Sequence, residues 1–386
     1  MTIISRSLVD PDFDDERESQ ESAARQRVNE RTMPRGTNEV ALSVDGGVVA
    51  ANTADRIARR IDRLARYYVD GDTARVDPQR RPDLRAAMGR LRDLTDESGD
   101  VGRIVEAIIN TCDFIGVRYL DAGVLAARSV GRVVISGGRG FGTGFLVTPQ
   151  LMLTNHHVLP SIDVARQSAV EFDYQDDVNG RPLTPQRFDF DADRLYLADR
   201  DLDFALVALR ATPQQVHRFG FNPLTDMQGT VVIGEFVTIV QHPRGDKKAI
   251  ALRENRLVDV LDRYLHYAAD TERGSSGSPV FNDQWEVVAL HHASVRAPDR
   301  PDTGGVLNEG VRISQIIGWL RAQHYSTAQQ DLVAPIIGQS ASNTGSVPAD
   351  PVRNTEAASS AVTTMIGPFR VTVTIDGSAP PIQKDR

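Results

Sequence analysis

The segment GTGFLVTPQLMLTNHHVL, residues 142–159, decides how this chain is read. An apolar Leu151-Met152-Leu153 reads as a short strand, and it runs directly into Thr154-Asn155-His156-His157-Val158. Histidine is the side chain whose ordinary pKa suits a general base near neutral pH. Adjacent residues of a strand point to opposite faces, so only one of His156 and His157 serves a given site. Two further stretches supply what such a base needs. In DLDFALVAL, residues 201–209, Asp203 precedes an apolar strand and is a candidate to orient an imidazole, with Asp201 as its rival. In DTERGSSGSPVF, residues 270–281, Ser276 sits in a tight glycine-flanked loop. An attacking hydroxyl needs an exposed position and backbone N–H groups aimed at the developing oxyanion. Gly274 lets the backbone approach closely, and the amides of Gly274 and Ser276 are the natural donors. Taken singly, each feature has an ordinary reading: a structural histidine, a solvated turn acid, a Gly/Ser turn. Their joint occurrence is the informative observation.

The surroundings are those of a mainly β domain. From Gly131 onward, short runs such as VVI (133–135), FLV (145–147), FALVAL (204–209), VVIGEFVTIV (231–240) and VVAL (287–290) alternate with Gly, Asp, Asn and Pro clusters. Many short strands separated by turn signals predict a sandwich or barrel. Ile313, Ile316, Ile317 and Leu320 then mark one closing helix near 313–323.

Together these motifs resemble the trypsin-like (chymotrypsin-fold) serine peptidases, in particular the bacterial branch with glutamyl endopeptidases and high-temperature-requirement proteases. The matching elements are G-T-G-F-L-V, T-N-x-H-V, D-x-A-L-V and G-x-S-G-S-P-V-F, in the order His, Asp, Ser. The resemblance implies two six-stranded antiparallel β-barrels with a closing C-terminal helix. It selects His157 over His156, Asp203 over Asp201, and Ser276 as nucleophile, with the oxyanion bound at Gly274 and Ser276. It implies a serine endopeptidase that forms an acyl-enzyme and needs no cofactor or metal. Animal digestive members carry an aspartate just before the serine, where this chain has Ser275, so their ion-pair activation switch is not expected here. By offset from Ser276, the resemblance makes Asp270, Thr271 and His291 candidate substrate-pocket residues. Asp270 favours a basic P1 side chain and the Thr271–His291 pair an acidic one; His291 neutralising Asp270 is a third arrangement. A catalytically silent scaffold that binds a partner is the alternative function. Gln241-His242-Pro243-Arg244-Gly245 reads as a structural turn.

The remaining chain is read around this core. Residues 1–50 hold ten acids against six arginines and read as a flexible leader. Residues 51–127 read as a helical segment, a candidate adaptor for a protein partner. Its stripes are Ile57-Ile61-Leu64-Tyr68, Leu84-Met88-Leu91 and Ile104-Ile108-Cys112. Residues 128–324 form the expected protease domain, 325–362 a linker, and 363–386 a tail whose FRVTVTID alternates as a strand that adds to a sheet edge of the domain or a partner. The net charge of −8 over 386 residues weighs against nucleic-acid binding. A single cysteine, Cys112, excludes an intrachain disulfide framework. His217, His266, His292 and His324 show no metal-ligand spacing. No secretory signal or membrane-spanning run is read, so the cytoplasm is the expected compartment and protein or peptide the expected substrate, with export by a route lacking an N-terminal signal as the alternative.

Overall fold

The structure is a computed structural model, and it describes residues 11–43, 47–65, 117–252, 255–298, 300, 305–338, 360–366 and 369–375. The chain divides into two compact units. The first comprises residues 1–37, 114–227 and 233–341; the second comprises 38–113, 228–232 and 342–386.

The larger unit is built on two antiparallel sheets. In the first, the strands are β1 (Val130–Ile135), β2 (Gly140–Leu146), β3 (Leu151–Thr154), β4 (Ala169–Phe172), β5 (Gln186–Asp189), β6 (Tyr196–Asp199) and β7 (Phe204–Ala208). Their order is β5-β4-β1-β2-β3-β7-β6. The second contains β8 (Thr238–Gln241), β9 (Ala249–Ala251), β10 (Leu257–Val260), β11 (Tyr264–Tyr267), β12 (Pro279–Phe281), β13 (Val287–Arg296) and β14 (Val306–Arg312), in the order β10-β11-β14-β13-β12-β8-β9.

Each sheet therefore has seven hydrogen-bonded segments where six strands were expected. The difference has a simple origin. Beyond β5, Phe190 pairs with Leu209, and the Asp191 amide donates to the Ala208 carbonyl at 2.8 Å. β5 and β6 thus act as two halves of one bent stave, which joins β4 on one side and β7 on the other. In the second sheet, residues 234–237 ahead of β8 bond to 255–257, so β9 and β10 both lie along the same lengthened edge. A sheet closed in this way leaves few unpaired edges.

Two apolar layers hold these sheets. Val133, Leu146, Met152, Val170, Phe172, Val207 and Phe219 fill the first barrel, with Phe172 stacked on Phe219 at 4.5 Å. A second cluster joins the two sheets: Phe145, Leu153, Phe204 and Leu206 from one, Val240, Phe281, Leu290 and Val311 from the other. The closing helix α8 (Ile313–Arg321) buries Ile313, Ile316, Ile317 and Leu320 in that cluster, and Trp319 meets Phe204 edge-on at 5.1 Å.

Several terminal assignments are corrected. The expected flexible leader contains α1 (Pro11–Glu30) and the start of α2 (Thr32–Leu42). α1 lays Ala24 and Val28 against Val258, Ala293, Val295 and Leu307 of the second sheet. The remainder of its buried face is polar (Arg17, Gln20), which is why hydrophobic periodicity did not disclose it. The stretch expected as a linker begins with α9 (Thr327–Ile337), capped by a Ser326–Gln329 capping box and anchored by Val333 and Ile336. The helix α5 (Arg118–Arg128), assigned to the adaptor segment, belongs to the barrel unit: the Trp285 indole N–H donates to the Tyr119 carbonyl at 3.0 Å.

The smaller unit contains α3 (Gly47–Ala50), α4 (Ala54–Ala65) and a hairpin of β15 (Ser360–Ile366) and β16 (Phe369–Ile375). Ile57, Ile61 and Leu64 are buried on α4, as their spacing predicts. β16 is the strand expected from its alternation, and it pairs with β15. The stripes around Leu84–Leu91 and Ile104–Cys112 lie outside the described residues, as do Tyr68 and Cys112. Among the described residues, no helix is long and apolar enough to cross a membrane.

Truncating a side chain in the layer between the sheets is expected to be costly. Ile316→Ala, on a residue with no exposed surface, should lower unfolding stability by about 2–5 kcal/mol, measured by chemical denaturation.

Candidate active site

Strand register brings His157 and Asp203 together. β3 and β7 run antiparallel with Thr154 opposite Ala205, so the chain leaving β3 lies beside the residue entering β7. Asp203 Oδ2 lies 2.7 Å from His157 Nδ1, and Oδ1 accepts the His157 amide at 2.9 Å. Asn155 donates to the Asp203 carbonyl at 2.8 Å and tightens the same turn. Asp203 has φ of +45°, a left-handed conformation that costs a non-glycine residue energy and persists where surrounding contacts impose it. His156 points elsewhere, with its Nδ1 3.5 Å from Glu16 of α1. Asp201 contributes its backbone carbonyl to the Tyr264 hydroxyl at 3.1 Å.

The loop carrying Ser276 is clamped across the two sheets. Its carbonyl accepts the Thr143 amide of β2 at 2.8 Å, and the Thr143 hydroxyl donates to the Gly274 carbonyl at 2.8 Å. Two glycines make this approach possible. Gly277 has φ of +88°, and a Cβ there would lie 2.0 Å from the Thr143 carbonyl and 2.4 Å from the Thr154 hydroxyl, three residues before His157. Gly274 has φ of +93°, and a Cβ would lie 2.6 Å from the His242 carbonyl. The turn at 241–245 is thus a floor for the serine loop, in keeping with its structural reading. The amides of Ser275, Gly277 and Ser278 all donate to protein carbonyls; among the described residues, those of Gly274 and Ser276 donate to none.

A second histidine shares Asp203, and sequence reasoning did not select it. His292 Nδ1 lies 3.1 Å from Asp203 Oδ2, and its Nε2 lies 2.8 Å from Glu309 Oε1. The pairing of β13 with β14 shifts register between His291 and Ala293, which makes His292 the bulged residue. A bulge re-aims a side chain that regular alternation would send elsewhere. The only sequence signal was the doublet His291-His292. Burial by itself disfavours the Asp203 carboxylate, yet His157 and His292 hold its pKa well below the usual range. Burial likewise disfavours the His292 cation, but Asp203 and Glu309 overcome it and raise the pKa to about 9. Glu309 is held low against its burial by His266, His292 and Arg27. The two buried carboxylates are thus compensated by the His292 imidazolium and the Arg27 guanidinium.

The pocket candidates are scattered in environment. Thr271 hydrogen-bonds to Ser294 and Asn308. His291 is buried with Nδ1 2.8 Å from the Tyr267 hydroxyl, and burial, aided by His292 and His157, lowers its pKa to about 3. Asp270 is exposed, and its backbone carbonyl accepts from Gln241 at 2.9 Å. Among the described residues, no hydrogen bond or ion pair joins Asp270 to His291, and no group of three or more His, Cys, Asp or Glu side chains is arranged to hold a metal ion.

Residues 142–290 match the family model of the trypsin-like peptidase domain. The chain carries such a domain. Two curated relatives are similar to it. An uncharacterized protein of Sinorhizobium fredii is 35% identical over 287 residues, covering 61% of this chain and 43% of that protein. A secreted RxLR effector protein of Plasmopara viticola is 31% identical over 187 residues, covering 43% and 45%. The chain thus spans less than half the length of these relatives. Among solved structures, a Glu endopeptidase in complex with MPD is 18% identical, covering 51% of this chain and 92% of that one, with a TM-score of 0.38. Deg5 is 15% identical, covering 54% and 96%, with a TM-score of 0.39. An inactive form of Rv3671c from M. tuberculosis is 18% identical, covering 57% and 96%, with a TM-score of 0.38.

Two outcomes follow from the geometry of the peptidase domain. Gly277→Ala should destabilise the domain and displace the serine loop, seen as a lowered thermal midpoint, because both φ and the Thr143 carbonyl forbid the added Cβ. His292→Asn should cost about 3–5 kcal/mol at neutral pH by leaving buried carboxylates short of a cation. His292 is raised from 6.5 to about 9, so its contribution is complete below about pH 6.5 and is lost as pH rises through about 9. The difference in thermal midpoint between wild type and His292→Asn should therefore shrink between those limits.

Proposed function

We propose that the chain is a serine endopeptidase in which Ser276 is the nucleophile, His157 the general base and Asp203 its orienting carboxylate. The observation that supports this most directly is the buried His157–Asp203 contact of 2.7 Å. A histidine that donates its Nδ1 proton to a carboxylate keeps the Nε2 lone pair for a substrate-facing task. His157 takes the Ser276 hydroxyl proton as the oxygen attacks the scissile carbonyl. The carbonyl oxygen becomes an oxyanion and is met by the amides of Gly274 and Ser276, which no protein acceptor occupies among the described residues. The tetrahedral species collapses to an acyl-enzyme as His157 returns the proton to the leaving amine. Water, deprotonated by the same imidazole, then releases the acyl group and restores the serine.

For substrate choice we propose a polar P1 pocket that includes Thr271 and His291, with an acidic P1 side chain preferred. The Thr271 hydroxyl supports this; a neutral His291 supplies hydrogen bonding rather than fixed positive charge. Asp270, exposed to solvent, would supply the opposite preference. A single cysteine suits a reducing compartment, and action in the cytoplasm on protein or peptide substrates belongs to the same proposal, as does recruitment of a protein partner by the segment 51–127.

A fluorophosphonate probe tests the chemistry. Wild-type protein should be labelled, Ser276→Ala should not, and Asp203→Asn should react slower by a factor on the order of 10³–10⁴. Absence of labelling in folded wild type under every condition would favour a scaffold that binds without cleaving. Cleavage of a peptide library by wild type, Asp270→Asn and His291→Ala should show an acidic P1 preference that the His291 variant loses and the Asp270 variant keeps.

A further inference from the structure

The ion network at Asp203 continues out of the barrels and ends on the N-terminal helix. Glu309 of β14, fully buried, accepts from His292 at 2.8 Å and from His266 at 2.8 Å. Arg27 of α1 completes its shell, with Nη2 2.6 Å from Oε1 and Nε 3.1 Å from both oxygens. The Arg27 guanidinium also lies 4.0 Å from the centre of the Tyr264 ring, and His292 stacks on the same ring at 5.6 Å. Five elements therefore contribute to one chain of contacts: α1, β11, β14, the bulge of β13 and the entry to β7.

The same helix reaches Asp203 from a second side. Gln20 donates to the Arg200 carbonyl at 2.8 Å, the carbonyl that also accepts the Asp203 amide at 3.2 Å. Glu16 pairs with the Arg200 guanidinium at 2.8 Å. α1 thus braces the turn that holds Asp203 in its left-handed conformation, while Arg27 braces its side chain through Glu309 and His292.

We propose that α1 is an integral part of the active site, with Arg27, Glu309 and His292 acting as positioning residues for Asp203 and, through it, for His157. This rests on the peptidase reading above. Its physical basis is charge balance. Asp203 is shared between two imidazoles, so the geometry of its bond to His157 depends on where His292 sits. His292 is held by Glu309, which has no route to solvent, and Glu309 keeps its charge in that setting because Arg27 and His266 face it. The groups around His292 are Asp203, Glu309, Tyr264, His291 and His157. Removing Arg27 leaves Glu309 with two histidines and a buried excess of negative charge, which shifts His292 and loosens the grip on Asp203. A segment outside the barrels would in this way set how well the triad is assembled.

The test compares Arg27 of α1 with Arg31, the residue that directly follows the helix. Arg31 makes an equally bidentate pair with Asp259, at 2.7 and 2.9 Å, with no bond to Glu309, His292 or Asp203. If α1 merely docks, Arg27→Ala and Arg31→Ala should lower thermal stability and activity in parallel. If Arg27 positions the site, Arg27→Ala should cut kcat at least tenfold with KM within twofold at a temperature where both variants are folded. Arg31→Ala should stay within twofold of wild type, and Arg27→Lys should recover part of the loss. Equal losses in the two alanine variants, or no loss in either, would overturn the proposal.

A second readout does not require catalysis. In a Ser276→Ala background, the low-field proton NMR resonance of the His157 Nδ1–H should shift or broaden with Arg27→Ala and stay in place with Arg31→Ala. If wild-type protein fails to label with a fluorophosphonate, the peptidase reading fails, and this resonance alone decides the positioning role. An unmoved signal in the Arg27 variant counts against it, whatever the outcome of labelling.

Discussion

The Asp203 carboxylate is the constraint around which the larger unit is organised. It is fully buried, in a left-handed backbone conformation, and charged. A lone carboxylate in such a place would protonate or disrupt the fold, because desolvation of an ion in a protein interior costs several kcal/mol. Its charge is instead met by His157 from the first sheet and His292 from the second. His292 in turn needs Glu309, and Glu309 needs His266 and Arg27. Each solution to a buried charge creates the next requirement, and the sequence of requirements closes only at α1, where Arg27 is about a quarter exposed (23%) and reaches solvent.

The serine loop obeys a different constraint, that of backbone proximity. Thr143 bonds both to Gly274 and to Ser276, and the His242 turn lies beneath Gly274. Only residues without a Cβ fit at 274 and 277. Among the described residues, the amides of 274 and 276 donate to no protein acceptor, while those of 275, 277 and 278 are engaged. Rigid placement of unsatisfied donors is what stabilises a developing oxyanion at little reorganisation cost. In the proposed peptidase reading, charge compensation behind Asp203 and close packing around Ser276 prepare the two halves of one reaction centre.

Much of the fold was legible in the sequence because it rests on local patterning. Short apolar strands, the closing helix at Ile313–Leu320 and the amphipathic face of α4 all followed from periodicity. The misses share a physical cause. α1 buries Arg17, Gln20 and Ala24 rather than large apolar side chains, so its buried face has no hydrophobic stripe. α9 and β15 lie in a composition rich in small polar residues, and tertiary contacts rather than local propensity order them. The seven-segment sheets reflect bent staves, a feature of closure that strand counting does not register. At the site, His157, Asp203, Gly274 and Ser276 stood out because they occur in short motifs at strand ends. His292, Glu309, His266 and Arg27 did not, since they are separated by up to 282 residues and are ordinary when taken one at a time.

The sequence by itself determined the strand-rich core, the closing helix and the glycine-flanked serine loop, and it offered the candidate histidines and aspartates, among which only the family resemblance chose. These depend on side-chain alternation, turn chemistry and the absence of a Cβ, all of which are properties of a few consecutive residues. Only the tertiary structure decided that His292 faces Asp203, because a bulge in β13 turns it there, and that an arginine of the N-terminal helix ends the chain of buried charges. Those are long-range electrostatic matters: a buried charge selects its partners by distance and desolvation in three dimensions, and spacing along the chain carries no record of either.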